Sequence, residues 1–129
     1  MTERVELRVP GLAEPISHYT DAVRAGDLLF VSGCVPVDGE GRLVEGDVVT
    51  QTRQVFANIE AVLSAAGAGF GDVVKVTVFL TDVEDRAAVN TVRTEVFGDT
   101  RPASTLVEVS RLAIPGARIE VEAVAFVRG

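Results

Sequence analysis

Arg101-Pro102-Ala103-Ser104-Thr105-Leu106-Val107-Glu108-Val109 is followed, after nine intervening residues, by Ile119-Glu120-Val121-Glu122-Ala123-Val124-Ala125. Both runs read as strands, spanning residues 103–109 and 118–127. In the second, Ile119, Val121, Ala123, Ala125 and Val127 alternate with Glu120, Glu122, Val124 and Phe126. A strand shows successive side chains to opposite faces. This one therefore has an apolar face and a face that is polar over half its length, as expected near solvent or a site.

Working outward, residues 72–80 are rich in β-branched side chains and read as a strand. Residues 28–35 form a short apolar run after the turn Ala25-Gly26-Asp27 and read as a buried strand. Residues 20–24 are expected to pair with it as a hairpin, and residues 6–9 to form a short edge strand. Between Asp47 and Ala66, Val48, Thr52, Val55, Ile59 and Val62 fall at gaps of three and four, placing them on one helical face. Asp47 suits the N-cap and Gly67 a left-handed C-cap. Gln51, Arg53, Gln54 and Glu60 are expected on the other faces. A second helix is expected from Asp82, its N-cap, to Gly98, with Val89, Val92 and Val96 on the buried side. Strand–helix–strand connections imply partly parallel pairing, and the hairpin implies antiparallel pairing elsewhere. An α+β fold follows: a mixed sheet with both helices on one face. The other face is left apolar and uncovered, which argues for an oligomer.

The 129 residues, 47% hydrophobic and 24% charged, fit one domain, 1–129, with a core of its own. One cysteine excludes an internal disulfide. The polar N-terminus does not resemble a signal peptide, and no apolar run reaches the ~20 residues of a membrane helix. A soluble cytoplasmic protein with no membrane contact is expected. The net charge of −7 and the single lysine, Lys75, argue against a nucleic-acid partner. No Cys/His cluster suggests a metal, and no glycine-rich nucleotide motif is present. No cofactor is expected.

Residues 101–109 and 119–125, read with Val31-Ser32-Gly33-Cys34-Val35-Pro36-Val37 and Asp72-Val73-Val74-Lys75-Val76-Thr77-Val78-Phe79, resemble the RidA (YjgF) family. The resemblance covers roughly residues 15–126. It implies a chorismate mutase-like, RidA-like fold: a six-stranded mixed sheet under two helices. It also implies a homotrimer with small-molecule sites in clefts between subunits, and enamine/imine deaminase chemistry. It places Tyr19, Ser32, Asn90, Ser104, Leu106 and Glu120 in or beside the cleft. Glu120 matches the glutamate that holds the attacking water, and Tyr19 is the second catalytic candidate. Ser32, Asn90, Arg93, Ser104 and Thr105 are the substrate-binding candidates.

Ser104 departs from the family, whose active members carry there an arginine that grips the substrate carboxylate. Arg93 stands where an aromatic residue is frequent, and Cys34 where glutamine is common. Imine hydrolysis needs a water aimed at the imine carbon, a nearby proton donor or acceptor, and a group that fixes the substrate. A guanidinium binds a carboxylate through two parallel hydrogen bonds, whereas a serine offers one hydroxyl and no charge. Three readings follow. The substrate differs from the usual 2-imino acid; another arginine, Arg93 or Arg101, has taken over; or the chain is a non-catalytic small-molecule-binding or accessory protein. Glu120 could otherwise simply pair with Arg111 or Arg118. His18 and Cys34 read as a surface residue and a small buried hydrophobe.

Overall fold

The computed structural model describes residues 3–128. In chain order its elements are β1 (Arg4–Leu7), β2 (Ala22–Ala25), β3 (Leu28–Cys34), α1 (Val48–Ala65), β4 (Val73–Leu80), α2 (Arg86–Phe97), β5 (Ala103–Glu108) and β6 (Ile119–Phe126). The six strands form one sheet in the order β1-β2-β3-β6-β4-β5. Only β4 and β5 run parallel, with α2 as the crossover between them. The expected mixed sheet and fold class are therefore present.

The alternation along β6 decides the layering. Ile119, Val121, Ala123 and Ala125 are buried in the same core as Val55, Phe56, Ile59 and Leu63 of α1 and Val89 and Val92 of α2. Phe56, Phe70 and Phe97 close one end of this layer edge to face, with ring centroids 5.4–6.2 Å apart. On the opposite face Leu28, Phe30 and Phe126 remain exposed around Lys75, Thr77 and Glu122.

Several boundaries differ from the sequence expectation, because side chains there take hydrogen-bond partners that the local pattern does not show. β1 ends at Leu7 rather than Val9, since the Val9 amide donates to Asp21 Oδ2 at 2.8 Å and leaves the ladder. β2 correspondingly begins at Ala22, not Thr20. Asp82 does not cap α2. Its carboxylate accepts from Glu84 N at 2.9 Å and caps a separate 3-10 turn, Val83–Asp85. α2 then starts at Arg86, and the Asp85 carboxylate accepts two hydrogen bonds from Arg118 at 2.9 and 3.0 Å instead of capping it. Asp47 does cap α1, accepting from Thr50 N at 2.9 Å, and Gly67 adopts the left-handed φ of 76° that follows it.

Gln51 was expected away from the core and is buried. Its Nε2 donates to Gly116 O at 3.1 Å and its Oε1 accepts from Arg118 N at 2.8 Å. A buried amide is tolerated where its hydrogen bonds are made, and these fasten residues 116–118 to α1 just before β6 begins. Gln51→Leu should cost about 1–3 kcal/mol in urea unfolding, because it leaves the part-buried Arg118 amide and Gly116 carbonyl without their partner. A change below ~0.5 kcal/mol would show that water replaces the amide without loss.

Candidate functional site

Where β3 pairs with β6 the register shifts between Val31 and Cys34, so Ser32 and Gly33 lie in a β-bulge. A bulge bends its strand and re-aims nearby side chains. Here it opens a notch that Glu120 fills: a Cβ built on Gly33 would lie 2.1 Å from Glu120 Oε2. The carboxylate is thus seated over bare backbone. It faces a cleft of about 300 Å³ walled by Ile16, Ser17, Tyr19, Ser32, Ala113 and Ile114. Burial, and secondarily Glu122, raise its pKa above the ordinary carboxylate value. Neither Arg111 nor Arg118 pairs with it; Arg118 is taken by Asp85.

The Ser32 hydroxyl donates to Thr20 O at 2.5 Å, so it braces the loop before β2, and its oxygen still has acceptor capacity. The phenol oxygen of Tyr19 accepts a long 3.4 Å hydrogen bond from Ile16 N, and the ring is half exposed. Cys34 lies beside the notch. Burial first, then Asp21 and Glu120, push its thiol up to about 12, so it is a neutral thiol and not a nucleophile. His18 is exposed and outside the residues lining the cleft.

The remaining candidates lie elsewhere. β5 is an edge strand, and Val76 of β4, buried beneath the helices, pairs with Ser104. Paired strand residues share a face, so Ser104 lies on the helix side, where Arg93 of α2 donates to its hydroxyl at 2.8 Å. Asn90, Arg93 and Arg101 line one cavity of about 480 Å³ at this edge. Thr105 lies on the other face and accepts from Lys75 Nζ at 2.9 Å. One chain therefore brings together Tyr19, Ser32 and Glu120, and separately Asn90, Arg93 and Ser104. It does not join the two groups. Gly33 was not among the sequence candidates; the signal that could have found it is a glycine inside a strand run. Among the described residues no cluster of His, Cys, Asp or Glu could hold a metal ion, and no helix is long and apolar enough to cross a membrane.

A bulged mixed sheet under two helices, with an acidic notch on one face and a basic edge on the other, defines a small α+β domain whose candidate residues fall into two groups. Residues 11–127 match the family model described as endoribonuclease L-PSP, and the chain belongs to this family, which includes RidA and YjgF. A RutC family protein of Pyrococcus horikoshii is 48% identical over 114 residues, 88% of this chain and 90% of that protein. The crystal structure of the Escherichia coli YjgF gene product superposes with a TM-score of 0.87 at 35% identity, covering 96% of this chain and 99% of that one. That of Escherichia coli TdcF with bound serine gives a TM-score of 0.85 at 33% identity, covering 96% and 100%.

Because the atom that a new Cβ would meet is the end of a flexible side chain, Gly33→Ala should fold with a stability change within about 1 kcal/mol. It should nonetheless expel the Glu120 carboxylate into solvent. Titration followed by NMR should then show the raised Glu120 pKa relaxing toward the ordinary value. An unchanged pKa would show that burial does not depend on the notch.

Folding raises the Glu120 pKa, so between the ordinary and the raised value the folded chain holds a proton that the unfolded chain has released. The group's contribution to stability is fullest below the ordinary value of 4.5 and is lost as pH rises through the raised folded value. Glu120→Gln should accordingly be more stable than the parent at neutral pH. The gap should close below that window in thermal melts across pH.

Proposed function

We propose that this chain is a cofactor-free hydrolase of small enamines or imines, acting in clefts between the subunits of a homotrimer. The observation that carries this reading is Glu120: half-buried, without an ion-pair partner among the described residues, and seated at the mouth of a cleft large enough for a small organic molecule. Family membership supports a small-molecule-processing role.

A raised carboxylate pKa suits both halves of the reaction. Ionised Glu120 takes a proton from water as the oxygen attacks the imine carbon. That proton passes to nitrogen to give a carbinolamine; Glu120 then takes the hydroxyl proton and delivers it to nitrogen as the C–N bond breaks, leaving a carbonyl compound and ammonia. Tyr19 and Ser32 would hold the substrate's polar edge. Asn90, Arg93 and Ser104 would come from a neighbouring copy, whose β5 edge would approach the cleft. The exposed apolar face around Phe30 and Phe126 supports such an assembly, since a second copy would cover it. Ser104 cannot hold a carboxylate as the strand arginine of the usual 2-imino acid site does.

One observation favours a binding role without turnover: the TdcF relative is known with serine bound. The ribonuclease named in the family description suits this chain poorly. Its net charge of −7 repels phosphate, and its one histidine lies outside the cleft.

Ammonia release from imines generated in solution separates these readings. The native protein should accelerate release, and Glu120→Ala should lower kcat by about 10²–10⁴-fold, the usual worth of a positioned acid–base group. The native rate should also fall with acid as Glu120 becomes protonated. Equal rates for the two proteins would leave binding as the function.

A further inference from the structure

Among the described residues six of the eleven arginines make no ion pair, and Arg93 is one of them. It is half-buried on α2, and loss of water alone lowers its pKa. A guanidinium taken out of water is costly unless an anion compensates it. Among the described residues Arg93 makes no ion pair. Glu95, nearby on α2, is engaged by Arg53 at 2.6 and 3.3 Å. Asp99 lines the same cavity without pairing with Arg93. Of the five N–H donors a guanidinium carries, one meets the Ser104 hydroxyl at 2.8 Å, and the Arg93 guanidinium makes no other hydrogen bond within the described residues.

We infer that Arg93, braced by Ser104, is an anion anchor that holds the carboxylate of a small organic acid at the β5 edge. This rests on the reading of the cleft as a small-molecule site and specifies what class of molecule enters it. A carboxylate matches the planar fork of the guanidinium and can accept two of its free N–H groups. Ser104 contributes twice. Its oxygen accepts from Arg93 and fixes the fork, and its own proton is left to donate to the bound anion. The Asn90 amide and Arg101, on the same cavity, add neutral and charged donors around it. The cation is thus supplied from a helix rather than from β5 itself. The acid it selects is expected to differ in reach from one gripped at position 104.

Calorimetric titration of the assembled protein tests this without requiring turnover. The probes are 2-oxobutanoate and 4-oxopentanoate, with butanone as the uncharged control. At least one acid should bind more tightly than butanone. Arg93→Gln should weaken that acid by at least roughly 30-fold, the low end of breaking a buried charged pair. Arg93→Lys should fail to restore it, because an ammonium lacks the fork. Ser104→Ala should weaken it less, and Ser104→Thr should recover the loss. The proposal is overturned if neither acid outbinds butanone or if Arg93→Gln leaves acid affinity unchanged. It is equally overturned if a structure of the assembly shows Arg93 paired with a carboxylate of a neighbouring copy. Arg93-dependent acid binding by a protein that releases no ammonia would keep the anchor and discard the hydrolase. Ammonia release without acid binding would do the reverse.

Discussion

The two unlike faces of β6 are the constraint on which the molecule depends. Hydrogen-bonded to β3 on one side and β4 on the other, this strand puts Ile119, Val121, Ala123 and Ala125 under the helices, and Glu120 and Glu122 on the open face. Because strand side chains repeat every second residue, a slip of one position would drive two carboxylates into the core. No partial version of that register is tolerable. The bulge at Ser32 and Gly33 absorbs the mismatch with β3 where it also makes room for Glu120. Architecture and chemistry share one irregularity.

The elements of the fold were legible because they rest on periodicity: period two along residues 119–127, and gaps of three and four along residues 48–62. The ends of elements were less so. Val9 and Asp82 were misread for different reasons: the Val9 amide went to the distant Asp21, and Asp82 capped a 3-10 turn of its own ahead of α2. Gln51 shows the same limit inside a helix, where a polar residue was assigned to the surface although its amide was needed 65 residues away. As for the site, Glu120, Tyr19 and Ser32 were named from resemblance and do share a cleft. Gly33 was missed because its role is a missing side chain, visible only once Glu120 lies over it.

The division of the candidate residues between two faces gives the edge strand its meaning. β5 is exposed along most of its length and carries Ser104 on one side and Thr105 on the other. Uncapped edges invite pairing with another chain, and folded proteins normally blunt them. An edge left open beside a basic cavity is better suited to meeting something than to facing bulk water. Arg93 fits that picture. Arg4, Arg8, Arg42, Arg53 and Arg118 sit in ion pairs; Arg93 is among the six arginines with no acid partner among the described residues, is partly withdrawn from water, and lines a cavity. In an acidic chain such a cation is not surface balance.

Lys75 has a consequence of a different kind. It is the single lysine of the chain and stands on the open face, its ammonium held by Val76 O and Thr105. Amine-directed reagents therefore address one side chain per chain, apart from the chain terminus. That side chain sits among Phe30, Thr77 and Glu122. Its reactivity is a built-in gauge of whether the apolar face is covered: quick to modify where the face is bare, slow where another surface lies against it.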